Sequence, residues 1–182
     1  MDQRAEEFKD FHARFANVFA HSESREEARQ YLRGLLVPVA RKICWHMAEV
    51  VGDDDPQSMQ RLLYSACWEA NEARDELQRF VIERFGDQDG IGAVDEAGFL
   101  KRGTKSVGVK RQYSGTAGKV ENCHVGVFLS CFNGRSYAFL DRRLYLPENG
   151  CTDWAWRREA RVPDDGVFKT KPQLALEMLK HA

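Results

Sequence analysis

Ile91-Gly92-Ala93-Val94-Asp95-Glu96-Ala97-Gly98-Phe99-Leu100 marks the point at which this chain changes texture. Before it, apolar residues recur at the three- and four-residue spacing of helices; after it, Gly98, Gly103, Gly108, Gly115 and Gly118 punctuate a stretch that suits hairpins and tight backbone. Asp87-Gln88-Asp89-Gly90 reads as a turn, and Ile91 to Val94 as a short buried strand that ends at Asp95. A carboxylate fixed at a strand end can face a cleft, which metal-dependent phosphoryl transfer needs: rigid oxygen ligands for Mg²⁺ beside cations that receive phosphate. Taken alone, an aspartate at such a position is more often a turn or cap residue than a catalytic one.

Upstream, Phe8, Phe11, Phe15, Val18 and Phe19 share one helical face. Ser24 and Glu27 have the form of a capping box opening a helix towards Leu35 and Leu36, which Pro38 interrupts. Val39, Ile43, Met47 and Val50 form the next stripe, closed by Gly52. Asp55-Pro56 restarts a helix carrying Met59, Leu62 and Leu63. Asn71 is a candidate cap for another, with Leu77, Phe80, Val81 and Phe85 ending at Gly86. Downstream, His124–Ser130 and Tyr137–Leu146 have strand-like content, and Lys171 onward is again helical, with Leu174, Leu176, Met178 and Leu179 as its apolar members. The spacing predicts an α+β chain: a helical domain over 1–86, then three antiparallel strands and a helix over 87–182.

Composition bounds the partners. At 182 residues with 43% hydrophobic and 30% charged residues, the chain can fill a core and cover it. The five cysteines are odd in number and form no CxxC pair, which argues against a disulfide framework or zinc ribbon. No apolar run approaches membrane-spanning length, so a reduced, cytoplasmic protein with no membrane contact is expected. A net charge of −1 is silent about nucleic acid, but its distribution is not. Between Lys101 and Val120 stand Lys101, Arg102, Lys105, Lys110, Arg111 and Lys119 with no acid among them, a segment suited to phosphate contact.

Other features weigh less. A helix-turn-helix over residues 39–66 would set the acidic turn Asp53-Asp54-Asp55 against phosphates, so its stripes read as core, with Arg41, Lys42 and Arg61 as secondary contact candidates. Cys44 with His46 and Cys123 with His124 point to different faces and make poor joint metal ligands. Trp154 and Trp156 suit either packing or stacking on bases, and Glu121 and Asp141 read as solvent-facing strand acids.

The longer strings narrow the reading. Val94-Asp95-Glu96-Ala97-Gly98-Phe99-Leu100-Lys101-Arg102-Gly103, Ser106-Val107-Gly108-Val109, and Arg111-Gln112-Tyr113-Ser114-Gly115-Thr116-Ala117-Gly118-Lys119-Val120-Glu121-Asn122-Cys123 resemble the DDE-superfamily transposases of bacterial insertion sequences. Val125-Gly126-Val127-Phe128, Tyr31 to Leu36, Leu144 to Pro147 and Thr170-Lys171-Pro172 extend the resemblance over nearly the whole chain. It implies an incomplete RNase H-like unit behind a helical region that helps bind transposon-end DNA. Asp95 matches the first catalytic and metal-binding aspartate, and Mg²⁺ or Mn²⁺ is implied for the complete enzyme. The second Asp and the Glu of such enzymes lie beyond the helix matched by Lys171–Ala182, so this chain is expected to be inactive alone and to bind no metal tightly. It departs from the family at Ala97, usually a threonine, and over residues 148–156, changes that relaxed selection produces. The implied partners are DNA carrying terminal inverted repeats, a second copy or a full-length transposase. The alternative function is a non-catalytic DNA-binding or interaction protein that occupies transposon ends or inhibits the full-length enzyme.

Overall fold

The computed structural model describes residues 3–87, 89–164 and 166–182, with the side chain of Asn149 left aside. It divides into two compact units, Met1–Glu76 and Leu77–Ala182, the division falling inside a helix.

The first unit is helical. Helices α1 (Gln3–Ala13), α2 (Ser22–Leu36), α3 (Cys44–Val51) and α4 (Gln57–Tyr64) precede α5 (Ala70–Phe85), which runs on into the second unit. Phe15, Val18 and Phe19 are buried with Ala28 and Leu62, as their spacing predicts, but they lie beyond α1 in a turn that ends on a bridge between Phe19 and Trp68. A second cluster joins Met47, Ala48 and Met59, and Gly34 lets α3 approach α2 so closely that a Cβ there would meet that of Met47 at 2.7 Å. Packing is thus the main role of these stripes, although Ile43, Val50 and Leu63 stay exposed. Gly52 closes α3 at φ 81°, and Asp55 accepts from the Gln57 amide at 2.9 Å at the start of α4.

Two helix starts differ from expectation. α2 begins at Ser22 without a side-chain cap, so Ser24 and Glu27 form no capping box; Glu27 instead takes the Arg61 guanidinium at 2.8 Å. α5 begins at Ala70, which places Asn71 inside its first turn. Strong helix formers behind Ser24 and Asn71 allow the backbone to start early and free those side chains from capping.

The second unit is a four-stranded antiparallel sheet with a helix on it: β1 (Ile91–Leu100), β2 (Lys110–Ser114), β3 (Lys119–Phe132) and β4 (Tyr137–Tyr145), then α6 (Glu148–Thr152), α7 (Trp154–Glu159) and α8 (Lys171–His181). Residues before β1 close a turn through the Gly90 amide and Asp87 carbonyl at 3.0 Å; the turn assigned to Asp87–Gly90 includes Gln88, which lies outside the described residues. β3 is the central strand. β1 pairs with it from Ile91↔Phe132 to Leu100↔Cys123, β4 from Tyr137↔Phe132 to Tyr145↔Val125, and β2 from Lys110↔Cys123 to Ser114↔Lys119.

β1 and β4 pair with the same stretch of β3, so they flank it on opposite edges. The α+β order, helices before an antiparallel sheet, is consistent with a partial RNase H-like fold. The fourth strand, β2, was not among the three expected. Its sequence Lys-Arg-Gln-Tyr-Ser has no apolar alternation, because it pairs only with the start of β3 through a turn in which Gly118 takes φ 67°.

One face of the sheet is closed. Val127 and Leu129 of β3 pack on Leu174 and Met178 of α8, flanked by Leu140 and Tyr145. α8 opens with Pro172 in its first turn and a full capping box between Thr170 and Gln173.

Candidate functional site

Successive strand residues face opposite sides of a sheet, and this separates the two neighbouring acids of β1. Asp95 pairs with Phe128 and Glu96 with Val127, the latter in the core under α8. Glu96 therefore lies on the closed face, where its Oε2 meets the Nζ of Lys171 at 2.5 Å; that ammonium also stands 5.5 Å from the centre of the Tyr145 ring. Asp95 lies on the open face, exposed, with its Oδ1 accepting from the Glu96 amide at 2.7 Å. The closed face commits Glu96 to an ion pair and leaves Asp95 as the acid presented outward.

The setting of Asp95 corrects one expectation. β1 does not end at Asp95 but runs through it to Leu100, and it is a largely exposed strand, with Ile91, Val94, Phe99 and Leu100 all open. The apolar run that suggests a buried strand belongs to a strand paired on one edge only, with β3.

The basic residues follow at once. Lys101, Arg102 and Lys105 occupy the loop from β1 to β2, Lys110 and Arg111 open β2, and Lys119 opens β3. The loop has a built anchor: the Lys101 amide donates to the Asn122 carbonyl at 2.9 Å, and the Asn122 side-chain amide donates to the carbonyls of Lys101 at 2.7 Å and Gly103 at 2.9 Å. The Trp156 indole N–H adds a bond to the Thr104 carbonyl at 3.3 Å.

β2 is drawn close to β1 because Gly98 has no side chain. A Cβ there would stand 2.4 Å from the Oγ of the buried Ser114. Sequence reading passed over Asn122, whose signal is only its place two residues before the long apolar run of β3. Asn122→Ala is expected to cost about 1–2 kcal/mol, two hydrogen bonds of ordinary net worth, and to raise amide exchange over residues 101–105; unchanged exchange would count against the anchor.

Lys105 and Lys119 already stand in ion pairs, and Arg111 lies near the same Glu121. Lys105 pairs with Glu159, and Lys119 with Glu121 at 2.8 Å; each ammonium is held above its usual pKa by the hydrogen bond to its carboxylate. Both pairs are solvent-exposed, so phosphate can exchange for either carboxylate at little cost. Arg61 is held by Glu27 and Glu23, and Lys42 donates to the carbonyls of Gly34 and Val37, so these secondary candidates serve the helical unit.

Of the strand acids, Glu121 has its carboxyl pulled below the usual range by Lys119, as an exposed acid can. Asp141 is buried, against expectation, and takes the Arg143 guanidinium at 2.5 Å and the Arg142 amide at 2.7 Å. A bulge between Leu129 and Ser130 puts it in the closed layer.

A divalent metal finds only part of a site here. Among the described residues no three His, Cys, Asp or Glu side chains gather as ligands, and the acid beside Asp95 is held by Lys171 on the other face. One carboxylate does not make the cage of a two-metal centre. These residues by themselves do not fit that group. The two Cys–His pairs fare no better: Cys123 is fully buried, its thiol pushed up in pKa by burial, while His124 lies on the open face beside Phe99. Among the described residues, no helix is long and apolar enough to cross a membrane.

An α+β chain with an acid on an open sheet face and a basic loop behind it matches the family model of the DDE superfamily endonucleases over residues 14–182. The chain belongs to that family, and it is transposase-related. It is 28% identical over 156 residues to the probable transposase for insertion sequence element IS701 of Microchaete diplosiphon, a match covering 85% of this chain and 38% of that protein. No solved structure matches it.

Proposed function

We propose that the chain acts on DNA as part of a transposition system, holding transposon-end DNA through Lys101, Arg102, Lys105, Lys110, Arg111 and Lys119 while Asp95 stands as the first carboxylate of the catalytic set. The observation that carries this reading is the position of Asp95, outward on the open face of β1, with the anchored basic loop beginning at the end of the same strand. In this reading residues 87–182 are the first part of an RNase H-like catalytic domain, and residues 1–86 a helical domain that assists DNA binding.

Phosphodiester cleavage and strand transfer, with Mg²⁺ or Mn²⁺, belong to the complete enzyme; this chain binds and does not cut. A single presented carboxylate supports that division, since the described residues gather no three metal-ligating side chains and Glu96 is held by Lys171 on the other face. The same observation favours a second reading, in which the chain is a non-catalytic product that occupies terminal inverted repeats or joins a full-length transposase.

The test is a gel assay of the purified chain with DNA bearing the source element's terminal repeats, with Mg²⁺ or Mn²⁺, scoring binding and cleavage separately. Binding without cleavage is expected. Lys101→Glu, Arg102→Glu and Arg111→Glu should each weaken binding, and removing one phosphate contact should lower the slope of log K against log salt by about 1. Cleavage abolished by Asp95→Ala would sink the statement that the chain does not cut. Binding indifferent to salt and to all three substitutions would sink the DNA assignment.

A further inference from the structure

Strand alternation sorts the basic residues by face, and it brings three nitrogen groups together around Asn122. Arg111 pairs with Asn122 across the β2–β3 ladder, and the Lys101 amide meets the Asn122 carbonyl one step beyond Leu100↔Cys123. Lys101, Asn122 and Arg111 thus form one row, and cross-strand neighbours share a face. His124 stands on that face two residues along β3, about 7 Å from Asn122. It is half-buried, its ring 5.4 Å from that of Phe99. Asn122 commits its side-chain amide to the carbonyls of Lys101 and Gly103, which fixes the lysine at this end of the sheet.

The acids lie elsewhere. Glu121 is near Arg111, but it alternates to the opposite face, where Lys119 holds it at 2.8 Å. Asp95 shares the face of His124 but stands opposite Phe128, four residues or about 13 Å along β3. From β4, Leu144 is the nearest residue on that face, and Arg142 belongs to the row of Asp95 and Phe128. Among the described residues no ion pair holds the Lys101 or Arg111 side chain, and no hydrogen bond occupies either ring nitrogen of His124. Burial first, and the Lys101 ammonium second, hold the imidazole below its usual pKa. The ring is therefore neutral at pH 7. An anion set between Lys101 and His124 would offset the repulsion that keeps the proton off the ring.

We infer that Lys101, Arg111 and His124 form one subsite for a backbone phosphate of DNA, with His124 a binding residue that takes up a proton as the phosphate arrives. The inference rests on the DNA reading above and adds to it a residue and a linkage to pH. Plain packing of the ring beside Phe99 makes the opposite prediction, that its titration is indifferent to DNA.

The experiment measures anisotropy of a fluorescein-labelled duplex carrying the source element's terminal repeats with the full chain. It is run at one low salt concentration from about pH 8 to about pH 5.5, the window in which histidine titrates. Native affinity should rise on acidification by at least about threefold, and by up to about tenfold for each unit by which phosphate raises the His124 pKa. The rise levels off once the pH lies below the pKa of the free ring. His124→Gln keeps a hydrogen-bond donor but cannot take the proton, so it should flatten this rise. The other histidines are common to both proteins, and the difference between the two profiles reports His124. Lys101→Met should weaken binding at every pH. An NMR titration of the His124 ring in the native chain, without and with the duplex, needs no variant; its midpoint should move up when DNA is bound.

Identical pH profiles for the native chain and His124→Gln, or a His124 midpoint that DNA does not move, would overturn the subsite and leave the DNA reading standing. Absence of DNA binding by the native chain at every pH would remove both.

Discussion

Met178→Ala should lower the stability of the sheet unit by about 2–5 kcal/mol, the range for truncating a fully buried methionine or leucine. Met178 has no exposed surface, and with Leu174 it fills the layer against Val127 and Leu129. Truncation leaves a void that the sheet cannot close by shifting, because β3 is held on both edges by β1 and β4. For a domain of about this size each kcal/mol corresponds to roughly 4–8 °C in melting temperature. Leu179→Ala, one position on and 54% exposed, should change stability by less than about 0.5 kcal/mol. The contrast between two adjacent residues is the check, read by guanidinium titration. Similar losses at both would mean that α8 is not seated on the face assigned to it.

Seating α8 also connects to the acids of β1. Lys171 at its start holds Glu96, so a helix loosened at Met178 frees the acid next to Asp95. The two acids differ in role because a sheet has two faces and α8 covers one of them.

Elements that follow a simple period were legible from sequence, and those depending on distant partners were not. The apolar spacing located the residues that fill the helical cluster around Phe15 and Leu62, and Gly52 ended α3 because a left-handed residue is needed there. β3 and β4 showed their alternation, since one side packs and the other does not. β2 was hidden because Lys-Arg-Gln-Tyr-Ser carries no such alternation when the strand is held by backbone bonds to a neighbour.

For the site, Asp95 and the six cations stood out as types and as a resemblance, and the structure places the cations in the loop and strands just after Asp95. Two things were not legible: that Asp95 lies mid-strand on an open face, and that Glu96 is held by a lysine far along the chain. Both depend on register and on α8, which a one-dimensional pattern does not contain.

Arg157→Ala should open the segment that joins β4 to α8, at a cost of about 2–4 kcal/mol, the loss of several charge-assisted hydrogen bonds less the relief of no longer burying a cation. Arg157 is 6% exposed and sits on α7. Its Nη1 donates to the carbonyls of Gly166 at 2.6 Å and Cys151 at 3.3 Å, and its Nη2 to those of Pro163 at 2.8 Å and Asp164 at 3.3 Å. The guanidinium also stands 5.3 Å from the centre of the Trp154 ring. One planar fork thus reaches four main-chain acceptors, one at the end of α6 and three in the loop after α7, which a lysine cannot imitate with its single nitrogen.

The residues from Glu148 to Trp156 enter the two short helices that this arginine ties to the following loop. Limited proteolysis should therefore cut Arg157→Ala rapidly between residues 160 and 169 while the native chain resists there, with Arg157→Lys intermediate. Resistance equal to that of the native chain would show that the loop holds its shape without the arginine.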